Sequence, residues 1–329
     1  MNTHPLLYLS GDDVRSALPM SRAIEAMRDA FSQLSQGRVT LPVRQCLSAA
    51  DQLGINLVMP CYSAASRQFS LKTVTVFDNN PQRGLPRVQG LVILTDGETG
   101  SHVAIMDGTS LTAIRTGAVS GLATDLLAPV GASVVSVFGA GVQARTQLEA
   151  VCCVRDIERA RVHDLDPAAA DRFASEMTRR LDVLVERAET PAENLSDADV
   201  VCTATSSCKP VFADQELPAG AHINAVGAYT PDMAEIPAAT VRRARVVVDH
   251  FASALEEAGD LLQPLRQGLI QKSHFQTELG DMAGRQLPRR NRAEGVTLFK
   301  SVGVAIQDLC AAATALENAR QLGLGIPLH

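Results

Sequence analysis

The segment SVVSVFGAGVQART (residues 133–146) constrains the fold more strongly than any other part of the chain. It predicts an apolar strand, a turn at Gly139 and a helix that begins near Val142. Gly139 permits the tight turn, Gly141 lets backbone amides approach a pyrophosphate, and Ala144 is small enough for close packing of the helix on the strand. The start of the helix also offers N–H groups and the positive end of the helix dipole to phosphates. Taken alone, this GxGxxA pattern also fits any tight turn between a strand and a helix.

The context of the glycine loop favours a dinucleotide-binding site. A second strand, ARVHD, ends about twenty residues later in Asp164, as the fingerprint requires. An acid there accepts hydrogen bonds from ribose hydroxyls and repels a 2′-phosphate, so we expect NAD(H) to be favoured over NADP(H). Two later strand ends, around Thr203 and Gly227, lie where ligands bind in parallel sheets, although Thr203 and Thr205 could form only local hydrogen bonds. The expected cofactor contacts of these segments are Gly139, Ala140, Gly141, Val142, Gln143, Ala144, Asp164, Thr203, Ala204, Thr205, Val226 and Gly227.

The chain after residue 128 alternates between apolar runs and helical patterns. The runs are ASVVSVFG, RARVHD, DVLVER, ADVVCTAT, AHINAV and RARVVVD. Short buried strands that alternate with helices are typical of a parallel, doubly wound sheet. We therefore predict a Rossmann-like α/β domain over residues 129–301.

The chain before residue 129 has a different pattern. A helix is predicted at 109–128, and the turn DGETG predicts a hairpin. A further helix at 302–322 has an apolar face that the Rossmann sheet does not need. We therefore predict an α+β domain with an antiparallel sheet, formed by residues 1–128 together with 302–329. Its strand-like segments are LPVRQCL (41–47), GINLVMP (54–60), FSLKTVTVF (69–77), VQGLVILTD (88–96) and SHVAIMD (101–107).

Composition excludes several classes of function. The net charge of -6 and the pI near 5.7 work against a nucleic-acid partner. There is no basic and apolar leader and no run of about 18 apolar residues, so we expect a cytoplasmic protein without a membrane partner. The seven cysteines contain no CxxC pair and the seven histidines are scattered, which predicts neither a disulfide framework nor a metal site.

A set of motifs in a fixed order connects the chain to a known family. They are LPVR (41–44), VMPCYSAA (58–65), LKTVT (71–75), IMDGTSLTAIRTGAVSGLAT (105–124), FGAGVQA (138–144), PAGAHINAVGA (218–228), PDMAEI (231–236) and LFKSVGVAIQD (298–308). With these motifs the sequence resembles the ornithine cyclodeaminase/mu-crystallin family along nearly its whole length. The PD pair at 231–232 is most similar to the mu-crystallin-like ketimine reductase branch.

The resemblance implies a homodimer, joined through the antiparallel sheet, that moves a hydride between a nicotinamide cofactor and the α-carbon of an amino or imino acid. Matched motif by motif, the cations that hold the substrate carboxylate are Arg44, Lys72 and Arg115. Arg115 and its neighbour Thr116 are also expected beside the cofactor. We expect Met59 and Tyr229 to form walls of the substrate pocket.

The residue types support an anion site at the three cations. Each cation lies on or just after an apolar segment, where an unpaired charge is costly. The planar guanidinium of arginine binds a carboxylate through two hydrogen bonds. Lys72, desolvated beside two arginines, should have a lowered pKa suited to proton transfer. Alternatively, Arg115 could extend from its helix to solvent and Arg44 could pair with a surface acid.

Two carboxylates that the family's cyclodeaminases use are replaced in this chain. The aspartate position after the AVG strand is Tyr229, and the glutamate position before MP is Leu57. Asp232 lies three residues after Tyr229 and is not assigned the lost role. Because leucine neither accepts nor donates a proton, release of ammonia lacks its acid–base groups.

Reduction of a preformed cyclic ketimine needs only a hydride, a carboxylate clamp and one proton source. We therefore predict an NAD(P)-dependent reductase of a cyclic imino acid such as pyrroline-2-carboxylate. The alternatives are ornithine cyclodeaminase, alanine dehydrogenase, and a binding protein that keeps the cofactor without turnover. The intact cations favour an enzyme over a binding protein, and the missing carboxylates favour reduction over cyclodeamination.

Overall fold

The computed structural model describes residues 5–285 and 290–328, which divide into two compact units. Unit 1 contains the residues up to Arg115 and those from Val304 onward, and unit 2 extends from Thr116 to Gly303. The C-terminal segment thus returns to the first unit. The other boundary, between Arg115 and Thr116, lies inside a long helix, whereas the predicted limit at residue 128 marks the end of that helix.

In chain order, one part of the helices and strands lies before residue 128 and a second part after residue 133. The first part contains β1 (Leu6–Leu9), α1 (Gly11–Ala17), α2 (Met20–Ser35), β2 (Val39–Thr40), β3 (Gln45–Ser48), β4 (Ile55–Ser63), β5 (Gln68–Val76), β6 (Val88–Asp96), β7 (His102–Asp107) and α3 (Gly108–Leu127). The second part contains β8 (Val134–Phe138), α4 (Val142–Val154), β9 (Arg159–His163), α5 (Pro167–Leu181), β10 (Leu184–Arg187), α6 (Pro191–Leu195), β11 (Val200–Thr203), β12 (His222–Ala225), α7 (Ala238–Arg243), β13 (Arg245–Val248), α8 (Phe251–Glu257), α9 (Gly259–Arg266), α10 (Gly280–Ala283), β14 (Thr297–Lys300), α11 (Ala305–Leu322) and β15 (Ile326–Leu328). Of the second part, α11 and β15 belong to unit 1. Of the helices in the described ranges, none is long and apolar enough to cross a membrane.

Unit 1 is built on a mixed, mostly antiparallel sheet with strand order β15-β1-β7-β6-β5-β4-β2, in which β3 pairs with β4. The predicted hairpin is confirmed, since β6 and β7 pair antiparallel across the turn DGETG. β1 pairs parallel with β7, which the sequence pattern did not indicate. Helix α11 packs against β4, β5 and β6 and covers one face of the sheet.

One strand is shorter than its sequence pattern predicts. The pattern indicates a strand over residues 41–47, but β3 begins only at Gln45. Pro42 cannot donate a hydrogen bond to a neighbouring strand, which explains why pairing starts after it. Arg44 therefore lies in the connection that leads into β3 rather than within a strand.

Unit 2 is a parallel sheet with strand order β10-β9-β8-β11-β12-β14-β13, as the alternating pattern predicts. Neighbouring strands in this order run parallel, and apolar clusters pack on the sheet from both faces. The register aligns Phe138 with Thr203, Thr203 with Ala225, and Ala225 with Lys300. The carboxyl ends of four neighbouring strands therefore form one edge, which is where open α/β sheets bind ligands.

Candidate functional site

The glycine loop of unit 2 has the backbone that a pyrophosphate requires. Gly139 has a φ of +96°, and a Cβ there would lie 2.8 Å from the carbonyl oxygen of Ala204. Gly141 is the N-cap of α4, and a Cβ built on it would meet open space. Because Gly141 has no side chain to cap the helix, the first-turn amides of α4 are left for a ligand. The loop thus fits the phosphates of a dinucleotide.

Asp164 lies directly after β9 and beside the glycine loop. Its Oδ2 accepts a hydrogen bond from the backbone N–H of Ala140 at 2.7 Å, and its Oδ1 accepts one from the backbone N–H of Asp166 at 2.9 Å. These bonds fix the carboxylate at the end of the strand. Arg145, on the first turn of α4, donates to the carbonyl oxygens of Ala140 and Gly141 and ties the loop to the helix. The carboxylate is therefore held where the ribose position of the fingerprint is expected.

The loops after β11 and β12 are organised by a residue outside the predicted set, Glu235. Its buried carboxylate accepts hydrogen bonds from both the backbone and the hydroxyl of Thr205. It also accepts from the hydroxyl of Thr203 and from the amides of Gly227 and Ala228. Five donors from two neighbouring loops thus converge on one side chain.

In unit 1, the inner face of the sheet, which is the face covered by α11, carries a cluster of buried charged side chains. Lys72, on β5, is 2% exposed, and its Nζ lies 2.7 Å from Oδ2 of Asp308. Arg115 donates from Nε to Oδ1 of Asp308 at 3.0 Å and from Nη1 to Gln307 at 2.7 Å. The sequence predicts an anionic partner for these cations, and α11 supplies one from within the chain through Asp308.

Burial and charge together set the proton affinity of this cluster. Burial lowers the pKa of Lys72 to about 7, Asp308 opposes that effect, and Arg115 and Arg44 reinforce it. Burial alone would raise the pKa of Asp308, but Lys72 and Arg115 outweigh it and hold that pKa below its usual value. A lysine with a pKa near 7 can both give and take a proton close to neutrality. The predicted lowering of the Lys72 pKa is therefore confirmed in direction.

The sequence profile of the ornithine cyclodeaminase/mu-crystallin family matches residues 7–323 of the chain. The chain belongs to this family. The Delta(1)-pyrroline-2-carboxylate reductase of Bacillus cereus is 35% identical over 321 residues, which cover 97% of this chain and 98% of that protein.

Two solved structures resemble nearly the whole chain. The Delta(1)-pyrroline-2-carboxylate reductase of Thermococcus litoralis, in complex with NADH and L-proline, has a TM-score of 0.94 at 38% identity. The match covers 98% of this chain and 100% of that chain. An archaeal alanine dehydrogenase dimer with bound NAD has a TM-score of 0.90 at 33% identity, and the match covers 98% of this chain and 99% of that chain.

Both positions at which the replacement of an acid is predicted, Leu57 and Tyr229, lie in the described residues. Leu57 is buried on the inner face of β4, which it shares with Met59, and Met59 is the cross-strand partner of Lys72. The position at which the family resemblance predicts a lost cyclodeaminase glutamate is thus filled by an apolar side chain in a packed layer. In unit 2, Tyr229 is half-buried after β12, whereas Asp232 is exposed.

The other predicted residues occupy the following places. Arg44 is half-buried in the connection before β3, and its positive charge helps to lower the pKa of Lys72. In unit 2, the carbonyl of Thr116 accepts a hydrogen bond from Gln147, and the amide of Val226 donates to Thr203. Val142 is 63% exposed at the start of α4, and Gln143 and Ala144 follow it on the same helix, with Ala144 buried. Ala204, directly after β11, donates its amide to the carbonyl of Phe138.

Among the buried charged residues of the described ranges, Asp308, Glu235 and Lys300 are not predicted as site residues, although their motifs are recognised. Asp308, Glu235 and Lys300 are all fully buried or nearly so. Each stands in an otherwise apolar stretch, in VAIQDL, MAEIP and TLFKSV. A charged residue inside an apolar run is the signal that could have identified them, since a buried charge needs a partner.

Proposed function

We propose that the protein is an NAD(H)-dependent reductase of a cyclic α-imino acid such as pyrroline-2-carboxylate. The observation that carries this proposal is the state of the unit 1 cluster. Lys72 is buried with a pKa of about 7, whereas Leu57 and Tyr229 stand at the two positions where the family resemblance leads us to expect acids in a cyclodeaminase. The chain thus keeps a proton source and lacks the groups that manage a leaving amine. Its similarity to pyrroline-2-carboxylate reductases supports this proposal.

The residues of unit 1 have distinct roles in this proposal. Arg115, whose guanidinium is oriented by Asp308 and Gln307, holds the substrate carboxylate together with Arg44. Lys72 donates its proton to the imine nitrogen as that nitrogen becomes an amine. Asp308 holds the ammonium of Lys72 and keeps its pKa from falling further. When bound, NADH would supply the hydride that the α-carbon receives.

We further propose that NAD(H) is preferred over NADP(H). Asp164 is held at the end of β9 by its bonds to Ala140 and Asp166. A fixed carboxylate at this position favours ribose hydroxyls and repels a 2′-phosphate. The glycine loop beside it would hold the pyrophosphate. In this proposal the enzyme works in the cytoplasm.

We propose that two copies of the chain associate through the outer face of the unit 1 sheet. On that face Leu71 lies between Pro60 and Ile93 on the neighbouring strands, and Phe69 and Leu91 are 46% and 45% exposed. A contiguous apolar face of this kind is typical of an interface. The archaeal alanine dehydrogenase to which the chain is similar is a dimer, which supports this assignment.

A substrate panel tests the proposed reaction. Purified protein is mixed with NADH and, in separate reactions, pyrroline-2-carboxylate, its six-membered ring homologue, or pyruvate with ammonia, and loss of nicotinamide absorbance is followed. The cyclic imines should be reduced, and Lys72→Met should abolish the reaction while leaving NADH affinity unchanged. Lys272→Met, at an exposed lysine, is the matched control and should behave as wild type.

Other outcomes of the panel would replace the proposal with one of its rivals. Faster oxidation of NADH with pyruvate and ammonia would identify an alanine dehydrogenase. A separate incubation with ornithine and catalytic NAD completes the panel, and release of ammonia in it would identify a cyclodeaminase. Tight binding of NADH without turnover of any substrate would identify a binding protein.

A further inference from the structure

The buried carboxylate of Glu235 is shared between two loops of unit 2. Its Oε1 accepts from the amide and the hydroxyl of Thr205 at 2.7 and 2.8 Å. Its Oε2 accepts from the Thr203 hydroxyl at 3.0 Å and from the amides of Gly227 and Ala228 at 2.7 and 3.1 Å. Thr203 is the last residue of β11, and Gly227 follows β12 closely. The carboxylate therefore fixes the loops at the carboxyl ends of two adjacent strands.

A second buried pair holds Glu235 itself. Oδ1 of Asp260 accepts from the amides of Glu235 and Ile236 at 2.6 and 3.0 Å. Oδ2 of Asp260 lies 2.8 Å from Nζ of Lys300, and both side chains are fully buried. Burial and the Asp260 charge raise the pKa of Glu235, and Lys300 opposes this effect. Lys300 thus favours the ionised form of Glu235, in which both oxygens accept hydrogen bonds.

The space around Gly227 shows how closely this arrangement is fitted. A Cβ on Gly227 would collide with the carbonyl oxygen of Thr205 and with Oε1 of Glu235. The two loops and the carboxylate are therefore in direct contact, with no room for a side chain between them. Such a network is unfavourable to bury unless every member is hydrogen-bonded, because each charge loses its hydration.

The location of the hydrogen bonds to Glu235 indicates a role at the binding site beyond general stabilisation of the fold. All five donors come from the carboxyl edge of the sheet, which is the edge that binds ligands. The opposite edge has its own buried carboxylate, Asp199, which precedes β11 and accepts from the amides of Ser133 and Val134. The two acids perform the same kind of bonding at opposite ends of the same strand. Of this pair, Glu235 is the one that acts on the loops where the cofactor is expected.

We infer that Glu235 is a positioning residue for the nicotinamide ring of the cofactor, an inference that rests on the proposed function. It holds the loops at Thr203–Thr205 and Gly227–Ala228 in the conformation that receives the nicotinamide ring. The adenosine diphosphate part is bound separately, by the glycine loop and Asp164. Loss of Glu235 should therefore weaken the binding of NADH but not that of ADP-ribose, which lacks the nicotinamide.

Titration calorimetry with NADH and with ADP-ribose tests this division. Glu235→Gln keeps the shape of the side chain but replaces one acceptor oxygen with an NH2 group, which cannot accept a hydrogen bond. The dissociation constant of NADH should rise at least about tenfold, a factor typical of losing a hydrogen bond to a charged group, and that of ADP-ribose less than about twofold. Asp199→Asn is the matched control and should lower the thermal midpoint while leaving the ratio of the two constants unchanged.

The outcomes distinguish this inference from the proposed function. Equal weakening of both ligands by Glu235→Gln, or weakening of neither, would overturn the positioning role. A wild-type protein that binds neither NADH nor ADP-ribose would overturn the proposed function itself. If Glu235→Gln does not fold, Thr203→Val takes its place, because valine has nearly the shape of threonine but no hydroxyl to donate, and the position is fully buried. This variant should raise the dissociation constant of NADH alone, by about threefold. No shift with Thr203→Val would then refute the inference.

Discussion

Replacing Asp308 with asparagine should destabilise the protein by about 3–5 kcal/mol, because it removes one member of a buried ion cluster and leaves the others charged. Asp308 is 1% exposed, and its carboxylate faces Lys72 at 2.7 Å and Arg115 at 3.0 Å. Asparagine can still accept a hydrogen bond through its one amide oxygen, but it brings no negative charge to the two cations. The variant therefore tests whether the cluster depends on charge.

The destabilisation by Asp308→Asn should depend on pH. Asp308 raises the pKa of Lys72, so the variant lowers that pKa below its wild-type value of about 7. Below the lowered pKa, Lys72 is charged in both the folded and the unfolded variant, and the loss of folding free energy has its full value. Between the lowered pKa and about 7, Lys72 is neutral in the folded variant but protonated in its unfolded chain, so the stability of the variant rises with pH. In the same range Lys72 of the wild type is still protonated in both states, so the stability of the wild type does not rise. The cost should thus be larger at about pH 5.5 than at about pH 8.

Thermal unfolding at the two pH values measures this difference. The control is Asp12→Asn, which breaks an exposed pair with Arg15 in the same unit, where the two side chains are 92% and 56% exposed. That substitution should cost about 0–1 kcal/mol, with little change between the two pH values. The reasoning is refuted if Asp308→Asn is no more destabilising than Asp12→Asn, or if its cost is the same at both pH values.

Three further predictions concern the proton, the cofactor and the dimer. Reductive kcat/KM should fall about tenfold per pH unit above about 7, because Lys72 must be protonated to act as the acid; a rate that stays flat to about pH 9 would contradict this role. Asp164→Ala should narrow the preference for NADH over NADPH in paired fluorescence titrations, and an NADPH preference in the wild type would show the assignment to be wrong. Leu71→Lys should convert the dimer to a monomer in light scattering, whereas Leu165→Lys, at a residue of unit 2 that is 97% exposed, should leave the dimer intact; a wild-type monomer would exclude the proposed interface.

The sequence predicts the parts of the fold that depend on local pattern. The strand before Gly139 and the helix after it are visible because glycine, apolar alternation and a helix start occur within a few residues. The hairpin between β6 and β7 is visible because turn residues separate two apolar runs. Pairing between distant segments is not visible, and the parallel contact of β1 with β7 and the antiparallel contact of β15 with β1 emerge only in the structure.

The sequence predicts the cations of the candidate site but not its anions. Lys72 and Arg115 stand out as charges in apolar segments, yet nothing local indicates that Asp308, on the last long helix, lies against both of them. Glu235 is missed for the same reason, because its five donors come from two loops that precede it in the chain. Partners that are distant in sequence become visible only when packing brings them together.

Transfer of a deuterium label tests the central claim most directly. Wild-type protein is incubated with pyrroline-2-carboxylate and NADH that carries two deuterium atoms at C4 of the nicotinamide, and the product is analysed by mass spectrometry and NMR. We expect proline with one deuterium on the α-carbon, and no such product from Lys72→Met. Formation of unlabelled proline, or no proline at saturating cofactor, would contradict reduction of a cyclic imine by direct hydride transfer to that carbon.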